Sequence, residues 1–307
     1  MNQPLTADRA STDRPFRSGF VGLVGKANAG KSTLLNRLVG RKIAIVSDKP
    51  QTTRHRMVGI AAGADYQICF VDTPGILRPR DKLNEALIEQ ARRALEDIDL
   101  ALHIVDATDR DPLTDEMKAV LGGLRCPLWL VINKVDLLSG LPEQTPAEAA
   151  LDAGAYAQRL AVSALTGAGC DELLERAAAA LPEGPPYFPQ DDLTDRDMRF
   201  IAAETVREKA FTLLGEEVPY SVATKCEEFR EHPDGKHFIR VVLFVERESQ
   251  KKIVIGQGGA TIRRIGAEAR AELETLLDHP VFLELWVKVR RNWRKSDLEL
   301  KRLGLKH

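Results

Sequence analysis

The stretch GKANAGKS, residues 25–32, decides the fold of the first half of this chain. It follows the apolar run Phe20–Val24 and precedes a helical pattern over residues 31–39, so it lies where a strand turns into a helix. Glycines let the main chain curl so that successive N–H groups face one anion, and the helix start adds partial positive charge. In this context the pattern G-x-x-x-x-G-K-S predicts a nucleotide-phosphate loop rather than an ordinary glycine-rich turn.

The residues of this loop have distinct expected roles. We expect Lys31 to reach the β- and γ-phosphates and the Ser32 hydroxyl to bind Mg²⁺. The other predicted phosphate contacts come from the loop and the first turn of the helix, at Gly25, Asn28, Ala29, Gly30 and Thr33.

A second polar motif, DTPG at residues 72–75, directly follows the apolar run Tyr66–Val71. Ligands of α/β proteins bind at the carboxyl ends of strands, so a carboxylate here is well placed for the same nucleotide. We expect Asp72 to hold Mg²⁺ through water, and Gly75 to offer its N–H to the γ-phosphate without a side chain in the way. Taken alone the motif would be an ordinary turn, but its position after a phosphate loop favours the functional interpretation.

A third motif, NKVD at residues 133–136, predicts which base binds. The Asp136 carboxylate would accept hydrogen bonds from the ring N–H and the exocyclic amino group of guanine. Adenine offers no such pair of donors, and a buried carboxylate left unpaired costs about 1–3 kcal/mol or more. Asn133 is expected to tie the loops together, and the stem of Lys134 to lie along the purine.

A weaker signal completes the predicted guanine site. Ser163 and Ala164 follow the strand-like run Leu160–Val162 and would offer a main-chain N–H to the guanine oxygen. The tripeptide has little value by itself, and its weight comes from its order and spacing after the other motifs.

Working outward from these motifs, short β-branched apolar runs alternate with helical patterns between residue 18 and about residue 181. The strand-like runs are Phe20–Val24, Met57–Ala62, Tyr66–Val71, Leu100–Val105, Leu128–Ile132 and Leu160–Val162. The helical patterns cover residues 31–39, 82–95, 113–122 and 170–181. The alternation predicts an α/β P-loop domain with a mostly parallel sheet and helices on both faces.

A proline-rich segment divides the chain. Residues 182–193, PEGPPYFPQDDL, contain four prolines and one glycine, which neither continue a helix nor form the centre of a sheet. We therefore expect a flexible tail (1–17), a nucleotide domain (18–181), this linker and a second domain (194–307). The second domain has the α+β pattern α-β-β-α-α-β, with a helix over about 195–213, strands over 218–226 and 237–246, two helical stretches and the strand Val281–Val289.

Composition excludes several classes of protein. The 307 residues are 44% hydrophobic and 29% charged, which suits two folded domains. No apolar stretch approaches the roughly 20 residues of a membrane-spanning helix, and the N-terminal tail has no apolar core of a secretion signal. The four scattered cysteines form no C-x-x-C pair. These features predict reduced thiols, no metal-cluster cofactor and a cytoplasmic location.

The net charge of −1 conceals a basic C-terminal region. Residues 183–246 carry 8 Lys/Arg and 14 Asp/Glu, whereas residues 247–270 carry 6 and 2 and residues 286–307 carry 8 and 2. Clustered positive charge of this kind favours an anionic partner.

The sequence GQGG, residues 256–259, lies between two helical stretches of this basic region. It resembles the G-x-x-G turn of a KH domain, and the order α-β-β-α-α-β resembles the second topological type of that domain. The resemblance implies that the sugar-phosphate chain of single-stranded RNA approaches the glycines while neighbouring cations bind its phosphates. The residues expected to bind RNA are Lys251, Lys252, Ile255, Gly256, Gln257, Gly258, Gly259, Arg263 and Arg264. A glycine-rich link between two core helices is the alternative.

With these motifs in order, the chain resembles the translation-factor-like GTPases, and KPQTTRHR at residues 49–56 narrows the resemblance to the Era family of bacterial GTPases. The resemblance covers nearly all of residues 18–307. It implies a GTPase that binds GTP, GDP and Mg²⁺, and that binds the 3′ region of 16S RNA in the small (30S) ribosomal subunit during ribosome maturation. It also allows peripheral contact with anionic membrane lipid, and we expect a monomer. Residues 49–56 would be the first switch, with Thr53 binding Mg²⁺ and Thr52 as the alternative.

The sequence also bears on hydrolysis. Ile76 stands where Ras-like proteins carry a water-orienting glutamine, and its side chain cannot form hydrogen bonds. We therefore expect slow intrinsic turnover, with the water held by main-chain groups or by a partner. The residues expected to act in hydrolysis are Lys31, Thr53, Gly75 and Asn28. For Asn28, related GTPases imply a K⁺ ion in the place otherwise taken by an arginine finger.

Two other classes of function remain open: an adenine-using P-loop enzyme, and a GTPase whose C-terminal domain contacts protein or membrane instead of RNA. Among the aromatic residues, Trp129 and Trp286 lie in apolar runs and are expected in the core, as is His103. Trp293, flanked by arginines, would either stack on a base or cap the core.

Overall fold

The computed structural model describes residues 15–49, 52–76, 79, 81–138 and 145–306. Most of the expected tail lies outside these ranges, as do Pro50 and Gln51 of the expected first switch. Within these ranges the chain folds into two halves: a six-stranded sheet with helices on both faces, and a three-stranded sheet whose two long helices pack on one face.

The first half is an α/β domain. Its strands are β1 (Arg17–Val24), β2 (Met57–Ala62), β3 (Tyr66–Asp72), β4 (Leu100–Asp106), β5 (Leu128–Asn133) and β6 (Gln158–Ala161). Its helices are α1 (Lys31–Val39), α2 (Lys82–Ala94), α3 (Asp115–Leu121), α4 (Pro146–Ala149) and α5 (Cys170–Ala180). The strand order is β2-β3-β1-β4-β5-β6, and only β2 runs antiparallel to its neighbour. The predicted mostly parallel sheet is confirmed.

Apolar stripes on the helices cover both faces of this sheet. Helices α1 and α5 place Leu34 and Leu173 in one cluster with Val21 of β1. On the other face, α3 packs Met117 against Val24. Because the parallel strands all end at one edge, the loops that follow β1, β3, β5 and β6 meet there.

The second half has the predicted order α-β-β-α-α-β and a short additional helix. Its elements are α6 (Met198–Leu213), β7 (Ala223–Glu231), β8 (His237–Val245), α7 (Glu248–Ile255), α8 (Ala260–Leu277), β9 (Val281–Val289) and α9 (Asp297–Arg302). Strand β8 is central, antiparallel to β7 and parallel to β9. Val206 of α6 and Ile265 of α8 pack on Val241 of β8. The predicted KH fold is confirmed.

Strand β7 begins later than the sequence suggests. The run 218–226 was expected as a strand, but Pro219–Ser221 forms a 3-10 turn and β7 covers Ala223–Glu231. Proline favours the first position of a helical turn, which accounts for the late start. The second half of β7 is polar because its side chains are largely solvent-exposed, so a search for apolar runs misses it.

The linker is bonded to the first sheet. Residues 182–193 contain no helix or strand, but the buried Gln67 side chain accepts from the main-chain N–H groups of Tyr187 (2.7 Å) and Phe188 (3.0 Å). It also donates to the carbonyl of Phe188 at 2.8 Å. Farther along, the Leu193 carbonyl accepts from the N–H of Ile60 in strand β2 at 2.9 Å.

An apolar cluster joins the two halves. Leu83 and Leu87 of α2 pack with Val242 and Phe244 of β8 and with Trp293. Trp293 is fully buried, and its indole N–H donates to the carbonyl of Ser221 at 2.9 Å. Of the two interpretations of Trp293, the structure therefore supports the core cap and not base stacking.

The expectation that Trp286 lies in the core is wrong, because this side chain is 50% exposed. Trp286 lies opposite Val242 on the outer face of the second sheet. The interdomain cluster covers that face at the central strand β8 but includes no residue of the edge strand β9. Trp129 and His103 are buried as expected, and His103 is hydrogen-bonded to the Tyr156 hydroxyl at 2.8 Å.

Three further observations concern the described part of the chain. None of its helices combines the length and apolar character needed to cross a bilayer. No group of three or more His, Cys, Asp and Glu side chains there is arranged to hold a metal ion. Cys69, Cys126, Cys170 and Cys226 are free thiols.

Replacing Trp293 with alanine should lower the free energy of unfolding by about 3–5 kcal/mol, because a cavity opens in the interdomain cluster and a buried carbonyl loses its donor. Trp286→Ala is the matched control and should cost about 1 kcal/mol or less, since half of that side chain already faces water. Denaturant unfolding followed by circular dichroism measures both. Equal losses in the two variants would contradict this packing.

Candidate functional site

The phosphate loop connects β1 to α1 at the carboxyl edge of the first sheet. Gly30 adopts a φ of +91°, and a Cβ atom there would lie 2.2 Å from the amide nitrogen of Asn133. Both the backbone conformation and the lack of space therefore require glycine. Gly30 is the N-cap of α1, so the N–H groups of the first helical turn point toward the loop.

Lys31 is buried at the centre of this loop. Its ammonium group donates to the carbonyls of Gly25 (3.0 Å) and Lys26 (2.9 Å). Burial lowers the pKa of Lys31 to about 8, and the nearby Asp72 opposes the shift. An anionic phosphate in the loop would favour the charged ammonium.

Three oxygen-bearing side chains meet beside Lys31. The Ser32 hydroxyl donates to the Asp72 carboxylate at 2.8 Å and lies 2.8 Å from the Thr53 hydroxyl. The second Asp72 carboxylate oxygen is buried and has no hydrogen-bond partner among the described residues. Burial raises the pKa of Asp72 to about 6, against the opposing effects of Lys31 and Ser32. Two hydroxyls and a carboxylate with one unsatisfied oxygen form a ligand set that fits Mg²⁺.

The geometry separates the two threonines of the first switch. The Thr53 hydroxyl faces Ser32, whereas the Thr52 hydroxyl donates to the Lys49 carbonyl at 2.6 Å. Thr52 is therefore engaged within the switch, and of the two hydroxyls that of Thr53 lies beside Ser32 and Asp72.

Gly75 and Ile76 bring the second motif against the phosphate loop. A Cβ atom on Gly75 would lie 2.8 Å from the Cα atom of Ala27, so a larger residue would push the two loops apart. Ile76 is 2% exposed and packs in an apolar cluster with Val24 and Met117. Its side chain is part of the core and contributes no polar group to the site.

Asn28 connects the phosphate loop to the segment before the first switch. It adopts a φ of +64°, and its side-chain amide donates to the Asp48 carbonyl at 2.6 Å. Ala27, Asn28, Thr33 and Gly75 line one cleft together with Lys31, Ser32 and Thr53.

Asn133 links three loops at the other end of the site. Its amide group donates to the Ala29 carbonyl at 2.9 Å, and its oxygen accepts from the Ala164 N–H at 3.0 Å. The Asp136 carboxylate accepts from the Ser163 hydroxyl at 2.5 Å. The structure thus brings the third motif, the phosphate loop and the Ser163–Ala164 segment together.

Two residues that were not predicted from the sequence support this end of the site. Asp106, at the end of β4, forms an ion pair with the Lys134 ammonium at 2.8 Å and so fixes the stem expected to lie along the purine. Arg37 of α1 donates to the carbonyls of Ala164 (3.2 Å) and Leu165 (2.6 Å). Asp106 could have been predicted, because it is a carboxylate at the end of a strand. No pattern in the sequence around Arg37 indicated its role.

The second half presents the predicted glycine turn between α7 and α8. Gly256 adopts a φ of +74°, and a Cβ atom there would lie 2.2 Å from the Thr261 hydroxyl oxygen. Lys252 and Arg263 are exposed, Lys251 is half-buried, and none of the three has an ion pair within the described ranges. Arg264 differs, because it pairs with Glu268 at 2.9 Å.

The remaining predicted RNA contacts lie on the same turn. Ile255 ends α7, and Gln257, Gly258 and Gly259 form a 3-10 turn that leads into α8. Ile253, which is not among the predicted RNA contacts, is 50% exposed beside the buried Val254. The turn therefore combines an accessible main chain, unpaired cations and an exposed apolar side chain.

Comparison with known proteins supports both halves. A family described as 50S ribosome-binding GTPases matches residues 20–134, and the KH domain family matches residues 217–294. GTPase Era of Geobacter metallireducens is 47% identical over 295 residues, covering 95% of this chain and 99% of the relative. GTPase Era of Rhizobium meliloti is 44% identical over 301 residues, covering 97% and 96%.

Solved structures match over the same length. A crystal structure of Era in complex with MgGDPNP and nucleotides 1506–1542 of 16S ribosomal RNA aligns with a TM-score of 0.88 at 39% identity, covering 95% of this chain and 100% of that one. A variant of Aquifex aeolicus Era bound to GDP·AlF4⁻ also aligns with a TM-score of 0.88, at 38% identity and the same coverage. These relatives align with this chain over both of its halves, and the chain belongs to the Era family of GTPases.

Proposed function

We propose that this GTPase binds the 3′ region of 16S ribosomal RNA through its KH domain and thereby assists assembly of the small ribosomal subunit. The observation that carries the proposal is the glycine turn at residues 256–259, where Lys251, Lys252 and Arg263 have no carboxylate partner within the described ranges. A full-length relative that binds this part of 16S RNA supports the choice of ligand.

The matching family is described by the 50S subunit, whereas the relative of known structure binds 16S RNA, which belongs to the small subunit. The family described by the 50S subunit matches only residues 20–134, which lie in the first, α/β half of the chain (the GTPase half). The relative with bound 16S RNA aligns over 95% of this chain and includes the KH fold. Since the KH fold is the half expected to bind RNA, we favour the small subunit.

For hydrolysis we propose that Ser32, Thr53 and Asp72 hold Mg²⁺, which when bound neutralises charge on the β- and γ-phosphates. Lys31 binds the same phosphates, and the main-chain N–H of Gly75 faces the γ-phosphate. The buried Ile76 leaves water positioning to main-chain groups or to a partner. Turnover by the isolated protein is then slow, since no side chain in the second motif orients the water.

Asp136→Asn should change the base preference from GTP to xanthosine triphosphate. The amide would present a donor where guanine also presents one, whereas xanthine presents an acceptor there. We expect GTP affinity to fall by about ten- to a hundredfold, as the loss of a charge-assisted pair predicts. Competition binding with GTP, ATP and xanthosine triphosphate measures this. An unchanged preference for GTP would show that Asp136 does not select the base.

Asn28 is proposed to help hold a K⁺ ion beside the phosphates through its amide oxygen, while its amide nitrogen donates to the Asp48 carbonyl. Hydrolysis should then be about tenfold or more faster in K⁺ than in Na⁺ at equal ionic strength. Asn28→Ala should remove this difference. Identical rates for the unmodified protein in the two salts would exclude the potassium site.

Changing Lys251, Lys252 and Arg263 together to alanine should weaken binding of a short single-stranded RNA from the 16S 3′ end by roughly ten- to a hundredfold at low salt. The slope of log affinity against log salt should fall by about 2, since each phosphate contact on a single strand contributes about 0.7. Fluorescence anisotropy over a salt series gives both quantities.

The matched control replaces three exposed cations of the GTPase half, Lys118, Arg125 and Arg176, with alanine. It removes the same charge and should leave the salt slope unchanged. If both variants lose affinity equally, binding follows net charge and not the glycine turn. If neither does, the KH half contacts a protein or a membrane surface, which is the alternative function.

Three finer expectations stay predictions: a cytoplasmic location, peripheral contact with anionic lipid and a monomeric state. They follow from the family resemblance and from composition.

A further inference from the structure

We propose that Arg207, on helix α6 of the KH half, is a positioning residue for GTP hydrolysis: it holds the main chain of Thr52 and so keeps the adjacent Thr53 hydroxyl at the magnesium site. The inference rests on the proposed role of Thr53 as a metal ligand. It assigns a part in the nucleotide site to the half of the chain that carries no nucleotide motif.

The contact itself is buried. One nitrogen of the Arg207 guanidinium donates to the Thr52 carbonyl at 2.5 Å, and the group also donates twice to Glu204, at 2.8 and 2.5 Å. Arg207 is 1% exposed. A planar guanidinium fixed by a carboxylate on its own helix has little freedom to turn away, so the carbonyl is held in a defined place.

The residue on the other side of Thr53 is held in the same way. Arg54 is 1% exposed and donates to the carbonyls of Val222 (2.6 Å) and Tyr220 (3.0 Å). Its guanidinium also lies over the rings of Phe211 and Trp293, at 5.2 and 5.7 Å. All four of these partners belong to the KH half.

A third anchor lies earlier in the first switch. The Lys49 ammonium donates to the carbonyls of Phe211 and Leu214, both at 2.5 Å and both at the end of α6. Anchors at Lys49, Thr52 and Arg54 thus surround Thr53 in the sequence, while Thr53 itself faces Ser32. Since consecutive Cα atoms are about 3.8 Å apart, Thr53 cannot leave the magnesium site by more than a few ångströms without breaking a buried bond.

The buried contacts of the first switch should affect the GTP-bound state more than the GDP-bound state. In GTPases the first switch is ordered through the metal and the γ-phosphate, and it is released once that phosphate has gone. Bonds that hold Thr52 and Arg54 where Thr53 reaches Ser32 therefore favour the triphosphate state. Loss of the Arg207 bond should affect Mg²⁺-dependent binding of a GTP analogue and turnover, and should leave GDP binding largely unaffected.

The test is Arg207→Met, which keeps the unbranched stem and removes every donor. We expect kcat and the Mg²⁺-dependent affinity for a non-hydrolysable GTP analogue to fall by about ten- to a hundredfold, the range expected for one buried charge-assisted hydrogen bond. Affinity for GDP should stay within about twofold, because the metal–threonine contact belongs to the triphosphate state.

Arg199→Met is the matched control. Arg199 lies on the same helix and donates to the carbonyl of Glu227 at 2.9 Å, within the KH half. This variant should leave the ratio of GTP-analogue to GDP affinity unchanged. An equal effect of Arg199→Met and Arg207→Met on that ratio would show that α6 acts only through the stability of the KH half, which overturns the proposal.

A double-mutant cycle with Thr53→Ala separates positioning from general loss of structure. If Arg207 acts through Thr53, adding Arg207→Met to Thr53→Ala should change the Mg²⁺ dependence little further, whereas fully additive effects would overturn the proposal. If Thr53→Ala alone leaves the Mg²⁺ dependence unchanged, the proposed metal site is wrong, and that outcome differs from a failure of Arg207.

Removing Arg207 also leaves the buried Glu204 without its partner, so Arg207→Met has to be checked for folding by circular dichroism. Should it not fold, Arg207→Lys takes its place, because lysine keeps a cation for Glu204 but cannot donate to both partners as a planar group. The ratio of GTP-analogue to GDP affinity is then expected to fall, as in Arg207→Met. An unchanged ratio in a folded Arg207→Lys protein would overturn the proposal.

Discussion

The nucleotide site depends on one buried amide. Asn133 donates to the phosphate loop at Ala29 and accepts from Ala164, so a single side chain sets the distance between the phosphate end and the base end of the site. It also fills the space that a Cβ atom on Gly30 would need. Because a buried amide is costly unless its donor and acceptor are both satisfied, these two bonds favour this arrangement of the loops. The parallel sheet contributes by bringing the strand ends to one edge.

Much of this site could be predicted because its motifs are local. Each is a few residues long and follows a recognisable strand, so sequence order alone placed Lys31, Asp72 and Asn133 near one another. The choice between Thr52 and Thr53 was not local, since it depends on which hydroxyl faces Ser32 across the fold. The same holds for Arg37, whose carbonyl partners lie more than a hundred residues away in the sequence.

The KH half was predictable in type but less so in detail. Its element order and glycine turn identified the fold, yet the exposure of Trp286 depended on what covers the outer face of the second sheet. Helix α2 of the GTPase half covers the centre of that face and leaves its edge strand in water. Periodicity reports which side chains share a face but not which partner covers it, so such errors are expected where two domains meet.

The bonded linker has a consequence for how the halves associate. Residues 187–193 are hydrogen-bonded to Gln67 and Ile60, and Asp195 accepts from the Val58 N–H at 2.8 Å, only three residues before α6 begins at Met198. Two separate proteins lose translational and rotational entropy when they dock. Here the linker, bonded to the first sheet, already holds the two halves close together, so much of this entropy has been lost before they make contact. Even modest contacts between the halves therefore suffice to keep them together.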